Sequence, residues 1–106
     1  MDDIFIWFEK WYLSKRDNWD KRGISIEEAG LSEYGHQYWI KLRSEYGLGN
    51  IILNESNGIY WLDFEGGNYD FDVMYNKGNI EIDKAIIDIY AEELIEHIMR
   101  STSCIS

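Results

Sequence analysis

The chain has 106 residues, enough for one domain with a closed core and too few for two. Hydrophobic residues make up 45% and aromatics 16%, more large apolar surface than a disordered acidic segment carries, so the chain is expected to fold. Twenty acids against ten bases leave a formal charge of −10, a field that repels phosphate backbones and anionic lipid heads and argues against nucleic acid or a membrane surface as partner.

The opening stretch, Met1-Asp2-Asp3-Ile4-Phe5, is acidic, and its apolar run breaks at Glu9 and Lys10, so it does not read as a secretory signal. From Asp3 to about Arg22, the residues Ile4, Phe5, Phe8, Trp11, Tyr12 and Trp19 recur every three or four positions, which predicts a helix with one wide apolar stripe. Ile6 and Leu13 fall on its other face. Gly23, just past the basic pair Lys21-Arg22, is the expected stop.

Beyond Gly23 the period shortens to two. Ile24 and Ile26 alternate with Ser25 and Glu27 up to Ala29-Gly30, which predicts a short strand with one buried face. A polar loop over 31–36 follows. A second strand spans Gln37 to Tyr46, with Tyr38, Ile40 and Leu42 on one side and Trp39, Lys41 and Arg43 on the other. Gly47-Leu48-Gly49 reads as a turn, Asn50 to Glu55 as a third strand, and Asn57-Gly58 as a tight hairpin, because both residues tolerate positive φ.

Ile59 to Glu65 is the expected fourth strand, and Gly66-Gly67-Asn68 the turn after it. A fifth strand places Phe71, Val73 and Tyr75 opposite Asp72, Met74 and Asn76, before a further turn at Asn76-Lys77-Gly78-Asn79. Asp83 is a good N-cap for a second helix, where Ile86, Ile87, Tyr90, Ala91, Leu94, Ile95 and Ile98 repeat at helical spacing and Asp88, Glu92, Glu93 and Glu96 form the outer face. The tail from Ser101 is expected to fray. The whole predicts one α+β domain over 1–106, an antiparallel meander of about five strands flanked by an N-terminal and a C-terminal helix on one face.

Catalytic signatures are sparse. His36 and His97 lack ligand spacing, so each is expected to be a surface histidine, and the single Cys104 allows neither an internal disulfide nor a thiolate metal knuckle. Cys104 also lacks the basic setting of a reactive thiol. Gly66-Gly67-Asn68 leads into a strand rather than a helix, which is not a phosphate loop. Carboxylate pairs such as Asp63 with Glu65 could in principle serve as acid and base or hold a divalent cation, but no spacing supports this. The reading is a binding protein that is not an enzyme, with no cofactor, no metal and a reducing, cytoplasmic location.

The informative pattern lies around the fourth strand. Alternation puts Tyr60, Leu62 and Phe64 on a core face and Trp61, Asp63 and Glu65 on the opposite one. Asp72 and Met74 of the next strand join the second face, with Tyr69 and Asp70 at its rim. Aromatics and methionine supply contact area while carboxylates orient a basic partner, so Trp61, Asp63, Glu65, Tyr69, Asp70, Asp72 and Met74 form the candidate protein-binding site. The plainer alternative is a solvated acidic face with Trp61 packed under a loop or a helix. Charge is concentrated on this side of the chain: residues 1–53 hold nine acids and seven bases (−2), and residues 54–106 hold eleven and three (−8).

The string Trp11-Tyr12-Leu13-Ser14-Lys15-Arg16, then Trp19, Gly23-Ile24-Ser25-Ile26-Glu27-Glu28, Leu48-Gly49-Asn50-Ile51-Ile52-Leu53-Asn54-Glu55-Ser56 and Gly58 resembles the TriTu-type immunity proteins of bacterial polymorphic toxin systems. The resemblance covers most of the chain and rests on aromatic and glycine positions rather than on a catalytic signature. It implies a small acidic inhibitor encoded beside an Rhs-class toxin. That inhibitor would bind and block an ADP-ribosyltransferase domain whose target is the translation factor EF-Tu, with its carboxylates meeting the basic groups of an NAD-binding site. Two other classes remain open: an acidic DNA mimic of the anti-restriction kind, and a non-catalytic adaptor that docks through the first helix.

Overall fold

The computed structural model describes residues 3–69 and 74–99. Along the chain these form α1 (Asp3–Lys21), β1 (Ser25–Leu31), β2 (Gln37–Arg43), β3 (Gly47–Ser56), β4 (Ile59–Asn68), β5 (Met74–Glu81) and α2 (Lys84–Ile98). The five strands make one antiparallel sheet in the order β1-β2-β3-β4-β5. The α+β meander flanked by two helices is thus what the hydrophobic periods predicted.

The apolar stripe of α1 is buried through Phe5, Phe8, Trp11, Tyr12 and Trp19, while Leu13 on the opposite side is exposed. The helix ends at Gly23, whose φ is +83°. The Gly23 N–H donates to the Asp20 carbonyl and the Ile24 N–H to the Trp19 carbonyl, a Schellman closure. Ile24 and Trp19 are both buried, the apolar contact that accompanies this motif. α2 begins at Asp83, whose Oδ1 accepts the N–H groups of Ala85 at 2.8 Å and Ile86 at 3.1 Å.

Both helices lie on the same side of the sheet. Phe8 meets Tyr38 edge to face at 5.6 Å, and Tyr90 of α2 tilts against Phe64 at the same centroid distance. The buried sheet side chains beneath them are Tyr38, Ile40, Leu42, Ile51, Leu53, Leu62, Phe64 and Tyr75. Between the helices, Trp11 Nε1 donates to Asp88 Oδ1 at 2.9 Å, where Lys15 also pairs, and Arg22 clamps Glu92 with two bonds of 2.8 and 2.6 Å. Tyr38 and Tyr75 point polar ends out of this layer, donating to Glu9 and Glu93. Burial first, then these carboxylates, push both phenols well above their ordinary pKa.

Three predicted turns are strand instead. Gly47-Leu48-Gly49 belongs to β3 and Gly66-Gly67 to β4, and the two segments pair with each other: Gly47 with Asn68, Leu48 with Gly67, Gly49 with Gly66. Glycine is needed here for close approach rather than for a bend. A Cβ on Gly66 would stand 2.5 Å from the Leu48 carbonyl oxygen and 2.9 Å from Leu94 Cδ1, and one on Gly49 would meet Leu94 at 3.1 Å. The paired glycines form a bare floor on which Leu94 of α2 sits.

The second strand accordingly ends at Arg43 rather than Tyr46, and the chain reverses at Ser44-Glu45-Tyr46. Ser44 Oγ accepts the N–H groups of Tyr46 and Gly47 and donates to the Ile98 carbonyl, tying the end of α2 to this reversal.

Asn76-Lys77-Gly78-Asn79 lies within β5, where its turn-like composition makes a bulge. Leu62 pairs with Ile80 and Phe64 with Lys77, so β5 carries one extra residue there, and Asn79 takes φ 56°. In β1 a second bulge falls at Glu27, between the pairs Ile26–Leu42 and Glu28–Lys41. The expected alternation holds at Ile24, buried, and Ile26, packed against the core, with Ser25 and Glu27 exposed; beyond the bulge β1 is a mostly exposed edge, kinked and acidic in a way that discourages further pairing. The Asn57-Gly58 hairpin is as predicted, with φ of 52° and 82°.

Candidate functional site

Because both helices cover one face of the sheet, the other is left open. Cross-strand pairing assembles it in rows. Gln37, Asn54, Trp61 and Glu81 form the row nearest the Asn57-Gly58 hairpin; next come Trp39, Ile52 and Asp63; then Lys41, Asn50, Glu65 and Asn76; last Arg43, Leu48, Gly67 and Met74. Trp39, Ile52, Trp61 and Leu48 are half-buried without any helix above them, and Met74 is 59% exposed. Two apolar patches, Trp39–Ile52–Trp61 and Leu48–Met74, therefore lie on the face with the polar row Lys41–Asn50–Glu65–Asn76 between them, with bases on β2 and acids on β4 and β5.

The predicted site residues divide as follows. Trp61, Asp63, Glu65 and Met74 share this open face, as alternation required, while Leu62 and Phe64 are fully buried and Tyr60 packs against the core. Tyr69 stands at the rim, half-exposed, its N–H donating to the Tyr46 carbonyl and its hydroxyl to the Ser44 carbonyl at 3.3 Å. Asp70 and Asp72 lie outside the described residues, as do Phe71 and Val73.

Asp63 is not a free carboxylate. Its Oδ2 accepts from Asn54 Nδ2 at 2.9 Å, and its Oδ1 accepts the N–H of Asn79 at 3.0 Å, satisfying the backbone of the β5 bulge. Asn54 in turn accepts from Gln37 Nε2 at 2.9 Å, so a polar chain crosses the open face from β2 to β5 and ties its strands together. Glu65 and Glu81, and Glu28 of β1 opposite Lys41, are exposed carboxylates of the face that make no ion pair with a described residue.

Four contributors went unrecognised in the sequence: Trp39, Ile52, Leu48 and Glu81. Trp39 already stood opposite the core set of its strand, but only the register Trp39–Ile52–Asp63 shows that it borders the acidic segment.

At the hairpin end, the face opens into a hollow of about 300 Å³ lined by Ser32, Tyr34, His36, Gln37, Asn54, Glu55 and Trp61. Tyr34 there is 82% exposed. His36 is not an isolated surface histidine: its Nδ1 lies 2.8 Å from Glu55 Oε2, and Glu55 Oε1 accepts the Gly58 N–H at 2.9 Å. Those bonds, the Gly58 N–H first, hold the Glu55 carboxyl below its ordinary range. His97 tilts against Tyr75 with ring centroids 4.8 Å apart, and its Nδ1 lies against the Glu93 carbonyl. Among the described residues no three His, Cys, Asp or Glu side chains converge as a metal site would require, and no helix is long and apolar enough to cross a membrane.

Comparison of the chain with protein-family models, with curated proteins and with solved structures finds no match.

Proposed function

We propose that this chain is an immunity protein that binds and neutralises a cognate antibacterial toxin, docking it on the open sheet face. The toxin is an ADP-ribosyltransferase acting on EF-Tu, and the carboxylates at the edge of the face occlude its basic NAD-binding site. The observation that carries the reading is the apolar patch Trp39–Ile52–Trp61, uncovered by either helix, with Leu48 and Met74 beyond one polar row and with Glu65 and Glu81, which make no ion pair with a described residue, at its margin. Large side chains half-buried on a helix-free face have the make-up of an interface centre, with charged groups at its margin. The likeness to TriTu-type immunity proteins supplies the toxin class.

Two alternatives lose support from particular contacts. A DNA mimic needs free carboxylates in a regular array, yet Asp88 and Glu92 of α2 are engaged by Lys15 and Arg22. An adaptor docking through the first helix needs its apolar stripe accessible, and that stripe is core.

The test is co-expression with the transferase domain encoded beside it, scored by survival and by calorimetry on the purified pair. The Trp39→Ala, Trp61→Ala double variant is expected to lose more than about 2 kcal/mol of affinity, as a hot-spot pair should. Glu65→Lys is expected to slow association, most strongly at low salt. Survival and affinity untouched by all three changes would rule out this face as the inhibitory surface.

A further inference from the structure

We infer that the open face carries an anchor groove for one long basic side chain of the bound protein, its aliphatic stem laid between Leu48 and Met74 and its charged head held at Glu65 between Asn50 and Asn76. The inference rests on the docking face proposed above and names the chemistry that meets it there. Two adjoining hollows make the groove. One, of about 180 Å³, is walled by Leu48, Tyr69 and Met74. Gly67 stands between Leu48 and Met74 in the last row and has no side chain, which leaves that place in the row empty. The other hollow, of about 330 Å³, is lined by Asn50, Glu65, Met74 and Asn76. Gly66 and Met74 belong to both, so the two are continuous. Gly66 pairs with Tyr75, whose ring is turned to the helix side against His97, so the floor between the two rows is backbone.

The acid and the apolar surface stand in the same hollow, since Glu65 and Met74 both line it. Glu65 is exposed and makes no ion pair with a described residue. Its neighbours in the row, Asn50 and Asn76, make no side-chain hydrogen bond with a described residue, unlike Asn54 and Asp63, which are bonded to each other. A carboxylate is thus flanked by two amides, each able to turn its oxygen towards a cation. Two residues along a strand lie about 7 Å apart, so a head at the Glu65 row leaves its stem over the Met74 row. Lysine and arginine divide in the same way, into an apolar stem and a charged tip. An apolar side chain in the groove would cover Glu65 without pairing it, at a desolvation cost. Lys41 lies beyond Asn50 in the row but makes no ion pair with Glu65, and Glu28 stands opposite it on β1, so the Glu65 carboxylate is left for a partner.

The test uses the full chain with acetyl-Gly-Lys-Gly-amide and its arginine counterpart. The norleucine tripeptide, which keeps the stem without the charge, and methylammonium, which keeps the charge without the stem, are the controls. The readout is NMR of the Met74 methyl, assigned by Met74→Leu, and of the backbone amides of residues 65–67 and 74–76. Both basic peptides are expected to shift these signals saturably, and each control to bind at least about threefold more weakly. The tighter of the two basic peptides identifies the residue that the groove takes. Glu65→Gln is expected to weaken the response at least about threefold while leaving the rest of the spectrum in place, and Glu81→Gln, which removes an acid outside the groove, to leave it unchanged. Equal weakening by the two variants, equal binding of lysine and norleucine, or shifts confined to the acidic face of α2 would overturn the inference. If the neighbouring toxin is bound and neutralised while neither basic peptide moves the Met74 methyl, the groove fails and the docking reading stands. If a basic peptide binds beside Met74 but the toxin does not bind the chain, the groove stands and the immunity reading fails.

Discussion

Asn54 donates its side-chain amide to Asp63 at 2.9 Å across β3 and β4, and Asn54 is only 4% exposed although no helix lies above it. The pair is therefore a structural bond laid across the proposed docking face. Asp63 also caps the Asn79 N–H of the bulge, so one carboxylate supports two strands.

Removing that carboxylate is expected to cost stability. Asp63→Ala should lose about 1–3 kcal/mol, because a half-buried amide and a backbone N–H lose a charged acceptor together. Asp63→Lys should cost more, placing an ammonium against both donors, whereas Glu65→Lys should stay within about 0.5 kcal/mol. Urea denaturation midpoints decide this. An Asp63→Ala protein as stable as the parent would show the bonds to be incidental. Read from sequence alone, Asp63 and Glu65 look like interchangeable exposed acids whose joint reversal would spare the fold; only Glu65 is suited to that use.

The glycine floor makes a sharper prediction. Gly49→Ala brings a methyl against Leu94, the far end of a flexible side chain, while Gly66→Ala brings one against the Leu48 carbonyl and the Gly49 Cα at 2.7 Å. Gly49→Ala is expected to cost about 1–2 kcal/mol and to be largely absorbed in a Leu94→Ala background, where space has been made. Gly66→Ala should cost about 3 kcal/mol or more in either background, since backbone cannot step aside. A thermal-denaturation double-mutant cycle with no coupling between positions 49 and 94 would refute the packing account.

Acid dependence follows from the helix clamp. The fork of Arg22, ahead of any other cause, holds the Glu92 carboxyl below its ordinary value. A depressed folded-state pKa contributes stability that is present above the unfolded value of about 4.3 and is lost as pH falls through the folded value. Both partners are partly exposed, so the contribution at pH 7 is about 0.3–1 kcal/mol. The stability gap between the parent and Glu92→Gln should therefore be visible at pH 7, persist at pH 5 and close by pH 3. Comparing the two proteins cancels the relief of overall negative charge that acid also brings. A gap that widens as pH falls would contradict the assigned direction.

The two helices, the five strands and the inside-outside alternation of Tyr60 to Glu65 were legible because each rests on a local period that a core must satisfy. The glycines at 47, 49, 66 and 67 read as turns in the sequence because glycine serves bends and close approach alike, and only tertiary neighbours tell which: Leu94 over Gly49 and Gly66, and the Gly67 and Ile98 carbonyls beside Gly47. Asn76 to Asn79 carried a real signal for positive φ, realised as a bulge within a continuing strand. Trp39 and Ile52 joined the site only through register, which depends on where β3 begins; reading Gly47-Gly49 as a turn concealed that start.

The clamp between the helices joins residues far apart in the chain: Trp11 precedes Asp88 by 77 positions and Arg22 precedes Glu92 by 70. Hairpins in a meander can close one after another as they leave the ribosome, but the indoles of α1 have no lid until α2 has been made. At about 5–20 residues per second, that leaves Trp11 and Trp19 without their α2 cover for on the order of ten seconds in every round of synthesis. The nascent chain is then at its most vulnerable to chaperone capture and proteolysis, and messages stalled before codon 84 are expected to yield protease-sensitive products.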